Sequence, residues 1–110
     1  MIKTENIDNI DIVTLDTDTL NALVSEQIRQ EVSDLFLNGT PKLILDLRGV
    51  KYVDSSGFGC LLGITRSAKN NYSVVKFCNI DPEIMKVLKM LHLHTVLNIF
   101  PNLEKCISSF

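Results

Sequence analysis

The sequence predicts an α/β domain built on a mixed β-sheet. Three observations carry that prediction. Apolar residues switch along the chain between short branched runs that suit strands and 3.6-residue stripes that suit helices, in the order β-β-α-β-α-β-α-β-α. Repeated strand–helix alternation implies parallel strand pairs joined by right-handed crossovers. The first two strands have no helix between them, only the turn signal Asp8-Asn9, so they add an antiparallel edge. At 110 residues the chain is one domain, residues 1–110, with no internal repeat or linker.

The elements follow in order. Ile2, Ile7, Ile10, Ile12 and Thr14 alternate loosely and predict a hairpin whose second strand spans residues 10–15. From Asn21 to Asn38 the period changes. Val24, Ile28, Val32, Leu35 and Phe36 fall on one helical stripe, while Glu26, Arg29, Gln30, Glu31 and Ser33 lie off it. Asn38-Gly39 caps that helix and Pro41 blocks its continuation. Lys42–Leu47 is a branched, nearly continuous apolar run, as expected of a central strand. Arg48-Gly49 turns the chain, and Val50, Tyr52 and Val53 lead into Asp54-Ser55-Ser56-Gly57.

The helical period returns from Gly57 to Lys69 through Phe58, Leu61, Leu62, Thr65 and Ala68. Gly59 and Gly63 stand one turn apart, which predicts close packing of this helix against a neighbour. Asn70-Asn71 break it, and Tyr72–Phe77 is the next strand. Asp81 caps a helix with Pro82 at its first position and Ile84, Val87, Leu88 and Leu91 on its apolar stripe. Thr95–Ile99 is predicted as a last short strand. Pro101 opens a terminal helix with the stripe Leu103, Ile107 and Phe110.

Charge and cysteine usage exclude several classes. There are 13 acidic residues against 11 Lys plus Arg, so the chain lacks the basic footprint of a nucleic-acid binder. Five acids, Glu5, Asp8, Asp11, Asp16 and Asp18, crowd the first 20 residues and read as a solvated acidic edge. The longest apolar run is three residues, far short of the roughly 20 a membrane span needs. The N-terminal residues are polar and lack a signal-peptide core, so a cytoplasmic location is expected. Cys60, Cys78 and Cys106 stand 18 and 28 residues apart without a CxxC pair, and are expected as free core thiols rather than a disulfide or metal site.

The chemistry concentrates in Asp54-Ser55-Ser56-Gly57-Phe58-Gly59, between a strand-like run and a helix. Ser55 or Ser56 at the helix start can accept its unpaired N–H groups. A hydroxyl exposed there also suits phosphorylation, because the N-terminal dipole favours an anion. A phosphate would add about −1.5 to −2 charges beside Asp54. Gly57-Phe58-Gly59 lacks the third glycine of a dinucleotide loop and the Gly-Lys-Ser/Thr of a nucleotide loop. The serine-hydrolase elbow is absent too, since Val53 stands two residues before Ser55. His92 and His94 follow a helix and read as loop histidines. A small hydrolase would need one of them within hydrogen-bonding reach of Ser55.

The run Leu43-Ile-Leu-Asp-Leu-Arg-Gly-Val-Lys-Tyr-Val-Asp-Ser-Ser-Gly-Phe-Gly59 resembles the signature of STAS domains, in particular the bacterial anti-sigma factor antagonists. The element order also fits that domain over nearly the whole chain. The resemblance implies a single STAS-like α/β domain with a four- or five-stranded mixed sheet and helices mainly on one face. It implies a partner switch, with no enzymatic activity and no cofactor. In such proteins the first serine after the Asp, here Ser55, is phosphorylated by a serine kinase that is also an anti-sigma factor. The unphosphorylated form binds that kinase and frees the sigma factor, and a PP2C-type phosphatase resets the phosphorylated form.

The contact surface implied by the resemblance comprises Asn21, Asp54, Ser55, Ser56, Gly57 and Phe58. Asp54 supplies polarity and fixes the turn, and Ser56 is a helix cap or a secondary phosphoacceptor. Gly57 lets a partner's backbone approach, and Phe58 is divided between core and contact. Two positions depart from the family pattern. Leu20-Asn21-Ala22 replaces the family's Leu-Asp-Ala, and Asn70-Asn71-Tyr72 stands where a Gly-Gly is common. The alternative within the same resemblance is a STAS scaffold subunit of another assembly, such as a lipid-transport ATPase or a stress-sensing complex. The free hydroxyls of the Asp-Ser-Ser-Gly run weigh against a pure scaffold.

Overall fold

Asp8 and Asn9 both adopt positive φ, 54° and 66°, the left-handed pair that closes a two-residue hairpin. The computed structural model describes residues 1–110. From the hairpin onward the chain runs β1 (Ile2–Ile7), β2 (Ile10–Leu15), β3 (Thr19–Leu20), α1 (Ser25–Leu37), β4 (Lys42–Asp46), β5 (Tyr52–Val53), α2 (Ser55–Asn70), β6 (Val74–Cys78), α3 (Pro82–Met90), β7 (Ile99–Phe100) and α4 (Leu103–Ser108). Five strands form one mixed sheet in the order β1-β2-β4-β6-β7. β1 and β2 are antiparallel, and every other neighbour is parallel. β3 and β5 form a separate two-stranded parallel ribbon, with Thr19 opposite Tyr52 and Leu20 opposite Val53.

The period-two alternation of the strands sorts their side chains to two faces. Val13, Leu15, Leu43, Leu45, Val75 and Phe77 pack beneath α1, α2 and α3, meeting Ile28, Val32, Phe36, Leu61, Ile64 and Leu88. The opposite face carries Ile10, Ile12, Ile44 and Cys78, and is covered by α4 through Cys106, with Leu103, Ile107 and Phe110 at its margin. Three helices therefore lie on one face and a short one on the other. All three cysteines are buried and unbridged. Burial pushes the Cys60 thiol up to about 11, so it stays protonated at neutral pH. No helix is long and apolar enough to cross a membrane.

Several local expectations are corrected. The strand expected at Thr95–Ile99 is reduced to Ile99–Phe100, because Val96 and Leu97 donate to the Leu93 carbonyl at 3.0 and 3.1 Å and continue a turn. α1 starts at Ser25 rather than Asn21, because the Asn21 side chain accepts from Leu23 N at 3.0 Å and holds a turn there. α4 starts at Leu103, capped by Asn102, so Pro101 lies outside it. β6 begins at Val74 because Tyr72 takes a positive φ of 55° in the preceding turn. Gly63 does allow close packing, against the Arg29 side chain, whereas a Cβ on Gly59 would meet nothing within 4 Å.

Candidate functional site

The site is positioned from the end of β4. Asp46 there is fully buried, and its carboxylate accepts from the Arg48 amide (3.0 Å), the Arg48 guanidinium (2.8 Å) and the Asn79 side chain (3.0 Å). Burial works to raise the Asp46 pKa. The hydrogen bonds from Arg48 and Asn79 outweigh it and hold the carboxyl below its ordinary value. This clamp sets the turn through Gly49, whose φ is 93°, and delivers β5 alongside β3.

β5 feeds α2. Asp54 N donates to the Leu20 carbonyl at 3.1 Å, tying the start of the helix to β3. The Asp54 carboxylate then accepts from Ser56 N (2.9 Å) and Gly57 N (3.2 Å). The cap is therefore Asp54, and neither Ser55 nor Ser56 serves as one. The aspartate stands one residue earlier and has the extended backbone a cap requires.

Gly57 is buried against the ribbon. A Cβ there would lie 2.5 Å from the Leu20 carbonyl oxygen and 2.6 Å from Val53 Cγ1. Its lack of a side chain lets the protein's own β3 approach. That replaces the expectation that it admits a partner's backbone. Phe58 is 8% exposed and belongs to the main core, with only an edge left at the surface.

Ser55 and Ser56 are both exposed, and neither hydroxyl forms a hydrogen bond within the protein. They face different surroundings. Ser56 lines a polar cleft of about 260 Å³ with Ser25, Glu26 and Arg29 of α1. Asn21 and Asp54 line a separate apolar groove of about 320 Å³ with Tyr52, Val87 and the edge of Phe58. Ser55 lines neither cavity and projects from the helix start. No histidine hydrogen-bonds Ser55, and the buried Nδ1 of His94 has no partner at all, so no nucleophile–base pair is assembled.

Sequence reading missed the apolar surface around the serines. Tyr52 is 67% exposed and Leu23 88% exposed. Val87, expected in the core stripe of α3, turns outward into the groove. Tyr52 carried a signal, since a strand that puts Val53 inward puts its neighbour outward. Leu23 carried none.

The STAS domain family model matches residues 1–106. The chain belongs to the STAS domain family. Solved structures agree with the fold. An anti-sigma-factor antagonist (STAS) domain protein from Planctomyces limnophilus superposes with a TM-score of 0.86 at 19% identity, covering 98% of this chain and 96% of that one. The anti-sigma factor antagonist SpoIIAA in its unphosphorylated form matches with a TM-score of 0.79 at 22% identity, over 99% of this chain and 95% of that one. The phosphorylated form of the Bacillus cell fate determinant SpoIIAA matches with a TM-score of 0.73 at 22% identity, over 99% and 98%. In this STAS domain the Asp54–Gly57 segment is held by backbone contacts to β3, so the two serine hydroxyls are presented by a rigid helix start.

Proposed function

We propose that this chain is an anti-sigma factor antagonist that works by partner switching in transcription regulation. Its unphosphorylated form binds an anti-sigma serine kinase and releases a sigma factor. Phosphorylation of Ser55, with Ser56 as the secondary acceptor, turns that binding off, and a PP2C-type phosphatase turns it on again. The proposed role has no catalytic step on this chain and is played out in the cytoplasm.

One observation carries the reading. Ser55 is an exposed, unbonded hydroxyl beside a carboxylate that already takes the Ser56 and Gly57 amides. A phosphate on Ser55 would find those two amides occupied. Its added charge of about −1.5 to −2 would be projected outward next to Asp54 rather than neutralised at the helix end. At an interface, uncompensated like charge and desolvation oppose binding, and each 1.4 kcal/mol, roughly, is tenfold in affinity.

The test is incubation with the cognate kinase and ATP, followed by mass spectrometry and binding measurements. We expect phosphate on Ser55, weaker kinase binding by Ser55→Asp and unchanged binding by Ser55→Ala. Phosphate on neither serine, or equal binding by both variants, overturns the reading.

A further inference from the structure

The polar cleft between the first turns of α1 and α2 has the makings of an anion site. Ser25, the first residue of α1, is only 4% exposed and lines this cleft, yet its hydroxyl has no hydrogen-bond partner. The helix start above it is uncapped. Val24 occupies the cap position and offers no side-chain acceptor, and the Glu26 and Gln27 amides find no backbone acceptor. Such amides, with the helix dipole behind them, favour a negative group.

Arg29 supplies the cation. Its aliphatic stem lies across α2 at Gly63, where a Cβ would stand 2.9 Å from Arg29 Cδ, so the side chain is seated in the helix–helix groove. Its guanidinium presently holds the Glu26 carboxylate, with Nε donating to Oε2 at 3.0 Å and the second nitrogen engaging Oε1. The Glu26 side chain is 74% exposed and free to swing into solvent. Opposite stand the unbonded Ser56 hydroxyl and Gly59, whose missing side chain leaves the space open.

We propose that this cleft binds one tetrahedral oxyanion of the phosphate class. Ser25 Oγ, the Glu26 amide and the Arg29 guanidinium hold it from one wall, and Ser56 closes the other. Glu26 is the built-in competitor, a carboxylate on the arginine that the anion must displace. Free inorganic phosphate and a phosphoryl group carried on Ser56 present the same chemistry, and the experiment separates them. The proposal needs neither a kinase nor Ser55, so it stands or falls apart from the switching role.

The experiment is amide-resolved NMR on the full chain in two arms. One titrates inorganic phosphate against chloride at matched ionic strength. The other places phosphoserine at position 56 with no phosphate added. We expect saturable shifts of the Glu26 amide in the first arm if the anion comes from solution, and the same shifts in the second if it is carried on Ser56. Arg29→Gln should weaken phosphate binding about tenfold and Glu26→Gln should strengthen it, since one removes the charge-assisted donor and the other the competing carboxylate. Shifts in neither arm, or shifts that Arg29→Gln leaves intact, overturn the proposal. Glu26→Gln lies on an exposed side chain and keeps the test valid if Arg29→Gln unfolds.

Discussion

Replacing Gly57 by alanine tests whether the functional segment is held by the close approach of α2 to β3. The added Cβ would sit 2.5 Å from the Leu20 carbonyl oxygen, 2.6 Å from Val53 Cγ1 and 2.8 Å from Leu20 Cβ. Comfortable contact lies at about 3.5–4.0 Å, so three neighbours must each retreat by about an ångström. Overpacking of this kind costs about 1–3 kcal/mol. The Leu20 carbonyl also accepts from Asp54 N at 3.1 Å, so moving β3 away puts that bond at risk, worth about 1 kcal/mol more. Alanine's better helix propensity returns about 1 kcal/mol at most. The expected net loss is about 1–3 kcal/mol.

Gly59→Ala is the internal control. It lies in the same helix, and its Cβ would meet nothing within 4 Å, so only the propensity gain of about 0.5–1 kcal/mol remains. Urea unfolding of both variants should separate their midpoints by roughly 1–2 M, with Gly57→Ala below the parent and Gly59→Ala above it. A Gly57→Ala midpoint at or above the parent's would refute the close-approach argument.

Two further outcomes are expected. Asp46→Asn keeps an acceptor but loses the ionised form whose pKa is depressed by Arg48 and Asn79. The parent's advantage should be full at pH values above the unfolded carboxyl value of about 3.9 and fade as pH falls through the lower folded value, as urea midpoints across pH would record. A gap that does not narrow in acid would contradict the assignment. Asp54→Ala removes the acceptor of two helix amides and should cost about 1 kcal/mol. Hydrogen exchange should quicken at Ser56 and Gly57 while the Leu45 and Phe77 amides of the sheet core stay protected.

The main sheet was legible because its signals are local and mutually consistent. The Asp8-Asn9 turn, the apolar run at Lys42–Leu47 and the Asp81-Pro82 helix start each specify one conformation from a few neighbouring residues. The β3–β5 ribbon was not legible. Thr19–Leu20 and Tyr52–Val53 are two residues each, too short for a period, and they exist only because Asp46 clamps the intervening turn and Gly57 leaves room for Leu20. The Thr95–Ile99 expectation failed for a related reason. Thr95, Val96 and Ile99 have strong strand propensity, yet a continuing turn after α3 and burial of Leu97 take precedence. The burial of Gly57 and Phe58 could not be read from the run alone, because a motif shows which residues stand together but not which way each one faces.

That last distinction governs how the two adjacent serines must be understood. Ser55 and Ser56 are neighbours in sequence and about 100° apart around α2, since a helical turn takes 3.6 residues. The helix cannot rotate to exchange them, because Gly57 fixes its angle against Leu20 and Asp54 fixes its start. Ser56 is therefore committed to the α1 cleft, within the neighbourhood of Arg29, while Ser55 is committed to open solvent. The same phosphate would then meet different surroundings on the two residues. On Ser56 it would lie in the cleft that holds a cation and an uncapped amide, and be absorbed by the protein. On Ser55 it would remain an uncompensated charge on the surface that the proposed partner would cover. A switch that works by repulsion needs the second arrangement, which is why the exposed position, rather than the better-neutralised one beside it, is the residue suited to the task.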